Sequence, residues 1–318
     1  MRRYSPLLLA SLAGVFSLLL PAALCAQSAG TWPRSVRDDM GAALKIAQKP
    51  QKIVSLTLPT DEILLSLVAK HRIAAVTGFS EDPAVSNVAS QVFDVPVKMT
   101  QLNVEVVIAL QPDLVVVADW TDAASVKLLR DAGLAVYQFK SPISVKEIED
   151  RITSIGAAVG EEDAAGKLTR WMDGRLAAVT AKLAGLAPGK RLTVMDYNTW
   201  GTSMGAGSSW NEIVRLAGCT SAVADLKADQ YGSVTISREM LLQLDPDILM
   251  LPAWVYGDVK GSDAFYNSIV TDPALKGLKA VKQGRVHRMP ESLKTATSQY
   301  IVFAVEDLAK YAYPELFQ

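Results

Sequence analysis

Residues 105–120 read EVVIALQPDLVVVADW, and residues 239–254 read EMLLQLDPDILMLPAW. Each stretch opens on Glu, places Pro-Asp seven residues later, continues in an apolar run and closes on Trp. A helix-capping residue stands two positions before each Glu, Asn103 in NVE and Ser237 in SRE. Asn and Ser side chains accept backbone N–H bonds at helix starts, and an acid in the first turn suits the positive end of the helix dipole. The spacing predicts short helices over 106–111 and 240–245. Pro112 and Pro246 stop them, because the residue before a proline is pushed out of the right-handed helical region. The runs DLVVVA and DILMLP are unbroken apolar segments, as expected of strands buried on both faces of a parallel sheet. Trp120 and Trp254 then fall just past the carboxyl ends of the two strands, the edge where open α/β sheets bind ligands.

Outward from this pair, the two halves of the chain keep one plan. KIVSLTLPTDEILLSLV (residues 52–68) reads as strand, short loop and a helix opened by Thr60, Asp61 and Glu62. RLTVMDYNTWGTSMGAGSSWNEIVRLA (residues 191–217) repeats it with a longer loop and a helix opening near Asn211 and Glu212. Between the halves, apolar residues recur at helical spacing, from Ile148, Ile152 and Ile155 on to Leu168, Trp171, Met172 and Val179. That spacing places Trp171 in the core. Acids crowd residues 161–163 and GLAPGK follows, the ordinary start and stop signals. A helix over 161–185 would be about 37 Å long at 1.5 Å per residue. The expected fold is α/β, with two lobes of mainly parallel sheet flanked by helices and joined by one long connector helix. The lobes are placed at 27–160 and 187–318, with the connector at 161–186.

At 318 residues the chain is long enough for two cores. Its formal net charge of −1 gives no basic surface for nucleic acid. Arg2 and Arg3, an apolar run over 7–20 and the small-residue stretch AALCAQ have the layout of a secretory signal peptide, with cleavage expected after Ala26. Leu24 is bulky where a lipid-attachment signal wants a small residue, which makes Cys25 the lesser alternative as an anchor. Export would leave Cys219 as the single thiol, with no internal disulfide, read as a small, partly buried residue.

An exported chain with two α/β lobes, a helical connector, NVEVVIALQPDLVV in one lobe and SREMLLQLDPDIL in the other resembles the helical-backbone class of periplasmic substrate-binding proteins. These serve ABC importers for iron-siderophores, vitamin B12 and haem, and the likeness extends to AVKQGRVHRMP and the closing YAYPELF. The resemblance implies that Glu105 and Glu239 dock on an ABC permease dimer in the inner membrane, which works with its ATPase. A two-fold partner presents the same socket twice, so a bilobal carrier must present the same charge twice.

The ligand is expected in a cleft lined by loops at the strand ends. Trp120, Trp200, Tyr231, Trp254 and Tyr256 are its candidate aromatics, suited to a large, flat or partly apolar ligand. Lys98 and Lys140, with Arg288, could offer charge to an anionic iron chelate. Haem carriers of the class use a Tyr where this chain has Lys98, which disfavours haem. A ferric siderophore stands first and a corrinoid second. No metal site is expected, since His71 and His287 form no cluster. An enzyme finds little support: Gly205-Ala206-Gly207 precedes a helix but lacks a third glycine and the Lys-Ser/Thr of a phosphate loop, and two histidines leave little for a triad. A chelate sensor outside transport is the remaining alternative.

Overall fold

The structure, a computed structural model, describes residues 31–318. The expected leader, residues 1–26, and Cys25 lie outside the described residues. The chain begins with an antiparallel hairpin of β1 (Arg34–Arg37) and β2 (Ala43–Ile46). It continues through β3 (Ile53–Ser55), α1 (Leu58–Leu67), β4 (Ile73–Thr77), β5 (Val97–Met99), α2 (Val104–Leu110), β6 (Leu114–Ala118), α3 (Ala123–Asp131) and β7 (Val136–Phe139). These strands make a five-stranded, wholly parallel sheet in the order β5-β4-β3-β6-β7. Every residue of β6 is buried, as an apolar run covered on both faces should be. Its side chains alternate: Leu114 and Val116 join one core, Val115 and Val117 the other, with α2 and α3.

The helix α4 (Val145–Val159) packs on the first lobe, and α5 (Glu162–Leu183) leads to the second. Gly160 separates them at φ 71°, and α5 with its 22 residues runs about 33 Å. α4 packs back on α5 so closely that a Cβ on Gly156 would lie 2.5 Å from that of Ala165. The second lobe holds β8 (Thr193–Asp196), β9 (Thr202–Met204), α6 (Ser209–Leu216), β10 (Thr220–Ser221), β11 (Ser233–Thr235), α7 (Arg238–Leu244) and β12 (Ile248–Pro252). It closes with α8 (Gly261–Val270), α9 (Lys279–Lys282), β13 (Val286–Met289), α10 (Glu291–Lys294) and α11 (Ile301–Ala312). The main sheet is again wholly parallel, β10-β8-β12-β13, with β9 and β11 paired beside it as an antiparallel ribbon.

Besides a core of its own in each lobe, the two lobes share a third. One hydrophobic cluster runs from Ile53 and Val116 in the first sheet, through Met172 and Val179 of α5, to Val194 and Met250 in the second. The helix α11 completes this seam by packing on both α5 and α6.

Several local expectations shift. The duplicated helices begin two residues earlier than expected, at Val104 and Arg238, on the caps Asn103 and Ser237. They end on Gln111 and Asp245, which take left-handed backbone (φ 49° and 40°) ahead of their prolines. The helix α1 also starts early, capped by Thr57, so Thr60, Asp61 and Glu62 are buried rather than set at an open helix mouth. Trp171 is not core: it is 37% exposed, edge-on to Phe303 at 5.6 Å. On α5 only Ala165, Met172 and Val179 are buried, a stripe one residue wide that Trp171 flanks.

Candidate functional site

Two cavities open at the carboxyl edges of the sheets, one in each lobe. The first, about 560 Å³, is bounded by the ends of β3, β4, β5 and β6 through Thr57, Thr77, Met99 and Ala118. Trp120 stands on its rim, 69% exposed. The second, about 210 Å³, is bounded by the ends of β8 and β12 and by α10. Trp200, Trp254 and Tyr256 line it. Trp254 meets Tyr256 edge-on at 5.8 Å, while Trp200 and Tyr256 are largely exposed.

Local hydrogen bonding explains how residues 196–204 present Trp200. Asn198 Oδ1 accepts from the N–H of Trp200 (3.0 Å) and of Thr202 (3.1 Å). Gly201 turns the chain at φ 70°. Buried Asp196 ties the returning strand by accepting from Ser203 Oγ (2.8 Å) and Met204 N (2.7 Å). The Gly205-Ala206-Gly207 segment serves packing, since a Cβ on Gly205 would lie 2.8 Å from Val234 Cγ2.

The cavities flank one hydrogen-bonded knot between the lobes. Glu62 on α1 is 3% exposed; its Oε1 accepts from Asn87 N (3.0 Å) and Asn87 Nδ2 (2.8 Å), and its Oε2 accepts from Ser298 Oγ. Asn87 Nδ2 also donates to Ser292 O on α10 (2.8 Å), and Gln299 Nε2 donates to Glu62 O (2.9 Å). The first turn of α1 borders the first cavity and α10 borders the second, so the knot sits between them. Burial raises the carboxyls of Asp61 and Glu62 above their ordinary range.

The remaining sequence candidates fall elsewhere. Tyr231 is exposed at the turn before β11, away from the lining of either cavity. Lys98 turns outward to Glu81 (3.1 Å) and donates to Phe93 O (3.0 Å). Lys140 is exposed beyond β7, where its N–H donates to Asp39 Oδ2 (3.0 Å). Arg288 pairs with Asp263 and lies over the Tyr266 ring at 5.0 Å. Glu105 and Glu239 are exposed in the first turns of α2 and α7, beside the partly exposed Val106, Ile108 and Leu242. Its own backbone N–H and the Ser237 hydroxyl hold the Glu239 carboxyl below the ordinary range. Burial pushes the Cys219 thiol up to about 11, which leaves it an inert core residue.

Sequence reasoning missed the charged floor of the second cavity. Lys294, 7% exposed, approaches Glu291 Oε1 at 3.1 Å, and Asp196 lies on the same floor. Burial raises both Asp196 and Glu291, with Lys294 opposing the shift. The available signal was the i, i+3 spacing in ESLK, which puts Glu and Lys on one helix face.

The family described as Periplasmic binding protein matches residues 53–293. The ABC transporter substrate-binding lipoprotein YvrC of Bacillus subtilis is 27% identical over 300 residues, covering 92% of this chain and 89% of that protein. A cobalamin-binding protein of Halobacterium salinarum is 26% identical over 226 residues, 71% of this chain and 60% of that protein. Among solved structures, the molybdate periplasmic binding protein MolA of Haemophilus influenzae superposes with a TM-score of 0.74 at 18% identity, covering 90% of this chain and 93% of that one.

Proposed function

The chain belongs to the periplasmic binding protein family and is the substrate-binding component of an ABC importer; we propose that it captures a metal chelate between its lobes and delivers it to the membrane permease. The observation that carries this is the pair of cavities at corresponding sheet edges, each walled by the Trp that closes the duplicated stretch. A ferric siderophore-type chelate is the first reading of the cargo. A corrinoid is the second, favoured by the absence of free positive charge on the lining and by the similarity to a cobalamin-binding protein. Export follows from residues 1–26, and a lipid on Cys25 is the alternative that the lipoprotein relative raises. Among the described residues no helix is long and apolar enough to cross a membrane.

Glu105 and Glu239 are the permease contacts, exposed beside apolar side chains on helices of matching design. Charge pairs of this kind mainly set orientation and association rate. The double substitution Glu105→Ala, Glu239→Ala should bind cargo as the parent does and fail to support uptake. Normal uptake by that variant would remove the docking assignment.

A further inference from the structure

Among the residues lining the two cavities, Lys294 is the single Lys or Arg, against the acids Asp122, Asp196 and Glu291. The cleft therefore offers no surplus cation to an anionic chelate. Of the cations that could have supplied it, Lys98 and Arg288 pair with acids, and Lys140 lines neither cavity.

What the second cavity does offer is one donor beside one acceptor. The Lys294 ammonium can donate three hydrogen bonds, and Glu291 is the described residue with which it forms an ion pair. Their 3.1 Å approach lacks hydrogen-bond alignment, so Glu291 Oε1 is buried with no hydrogen-bond partner among the described residues. Asp196 is already engaged by Ser203 and Met204 and acts as a fixed counter-charge. Around this pair the wall is aromatic, with Trp200, Trp254 and Tyr256. An acceptor held by one ion pair, beside an ammonium with hydrogen bonds to spare, favours a ligand that completes both over one that does not.

Resting on the chelate-carrier reading above, we propose that Lys294 and Glu291 form a subsite for an uncharged amide at the edge of the ligand. The ammonium donates to the amide carbonyl oxygen, and Glu291 Oε1 accepts the amide N–H. No net charge is needed from the cargo, because the ion pair is internally balanced. Two sources carry this group: the carboxamide arms of a corrinoid, and the amides of a hydroxamate iron chelate.

The test is a tryptophan-quenching titration of the full exported chain with matched probes. Dicyanocobinamide carries carboxamide arms, and the heptamethyl ester of dicyanocobyrinic acid keeps the carbonyls but lacks the N–H donors. Ferrioxamine B supplies hydroxamate-chelate amides, and ferric citrate is an anionic carboxylate chelate without amides. The parent protein should bind an amide probe, cobinamide about tenfold more tightly than the ester if corrinoid is the source. In Glu291→Ala/Lys294→Met, which removes both partners and leaves buried Asp196 to its bonds from Ser203 and Met204, that preference should fall to within about twofold. If ferrioxamine B binds instead, its affinity should fall about tenfold in the same variant, which identifies the hydroxamate source. An amide preference that survives in the double variant overturns the subsite. So does tight binding of ferric citrate with neither amide probe, although the carrier reading would then stand. Binding of none of the four defeats both.

Discussion

Replacing Glu62 tests whether the lobes are tied as tightly as the geometry indicates. Glu62→Ala removes the acceptor for Asn87 N, for one bond of Asn87 Nδ2 and for Ser298 Oγ. Asn87 Nδ2 keeps Ser292 O, so two buried donors are left stranded, Asn87 N–H and the Ser298 hydroxyl. A stranded buried donor costs about 1–3 kcal/mol, and relief of the buried carboxyl's desolvation offsets part of the sum. The expected loss is about 3 kcal/mol, or roughly 5 °C in Tm for a chain of this size. Glu62→Gln keeps the shape, can still accept from Asn87 and can donate to the freely rotating Ser298 hydroxyl. Burial already raises the Glu62 carboxyl toward its protonated form, which Gln mimics, so this variant should stay within about 1 kcal/mol. Calorimetry and urea unfolding of both variants measure the difference. Equal stabilities for Ala and Gln would refute the knot, whichever direction they moved.

Two further outcomes follow from the same packing. Scattering profiles with and without cargo should nearly superimpose, because α5 is unbroken and one hydrophobic cluster spans both sheets; a large compaction on binding would show a hinge. Stability should also fall as pH rises from about 4.5 to 7. Burial, then the charge of Asp173, pushes Glu149 up to about 7. A raised carboxyl contributes stability that is full below its ordinary pKa and is lost as pH rises through the folded value. Buried Asp61 acts in the same direction. Glu149→Gln should therefore flatten the Tm profile over that range, and an unchanged slope would discard the assignment.

The parts of the fold legible in sequence are those set by local chemistry and by strands covered on both faces. The runs at 114–118 and 248–252 could be placed because every one of their residues is buried. The caps Asn103 and Ser237 could be placed because each accepts a bond three residues ahead. Lys98 alternates along its strand with Met99, which lines the first cavity, and so points the other way. Asp61 and Glu62 have the spacing of helix-opening acids, and contacts from residues far away in the chain bury them. The Lys294–Glu291 pair was illegible as a site for the same reason. Its meaning comes from lying under Trp200 and Trp254, which the sequence separates from it by some tens of residues.

The central claim is that Trp120 and Trp254 hold one cargo molecule between the lobes. Native mass spectrometry of the purified chain against a panel of ferric chelates and corrinoids measures this directly, with the Trp120→Ala and Trp254→Ala variants run beside it. One chelate should be retained at one per chain. Each substitution should weaken it by about 2 kcal/mol, roughly thirty-fold, as truncation of an aromatic anchor commonly does, with the fold intact. Retention of that chelate with unchanged affinity in both variants would contradict the account and leave the paired tryptophans without a part in binding.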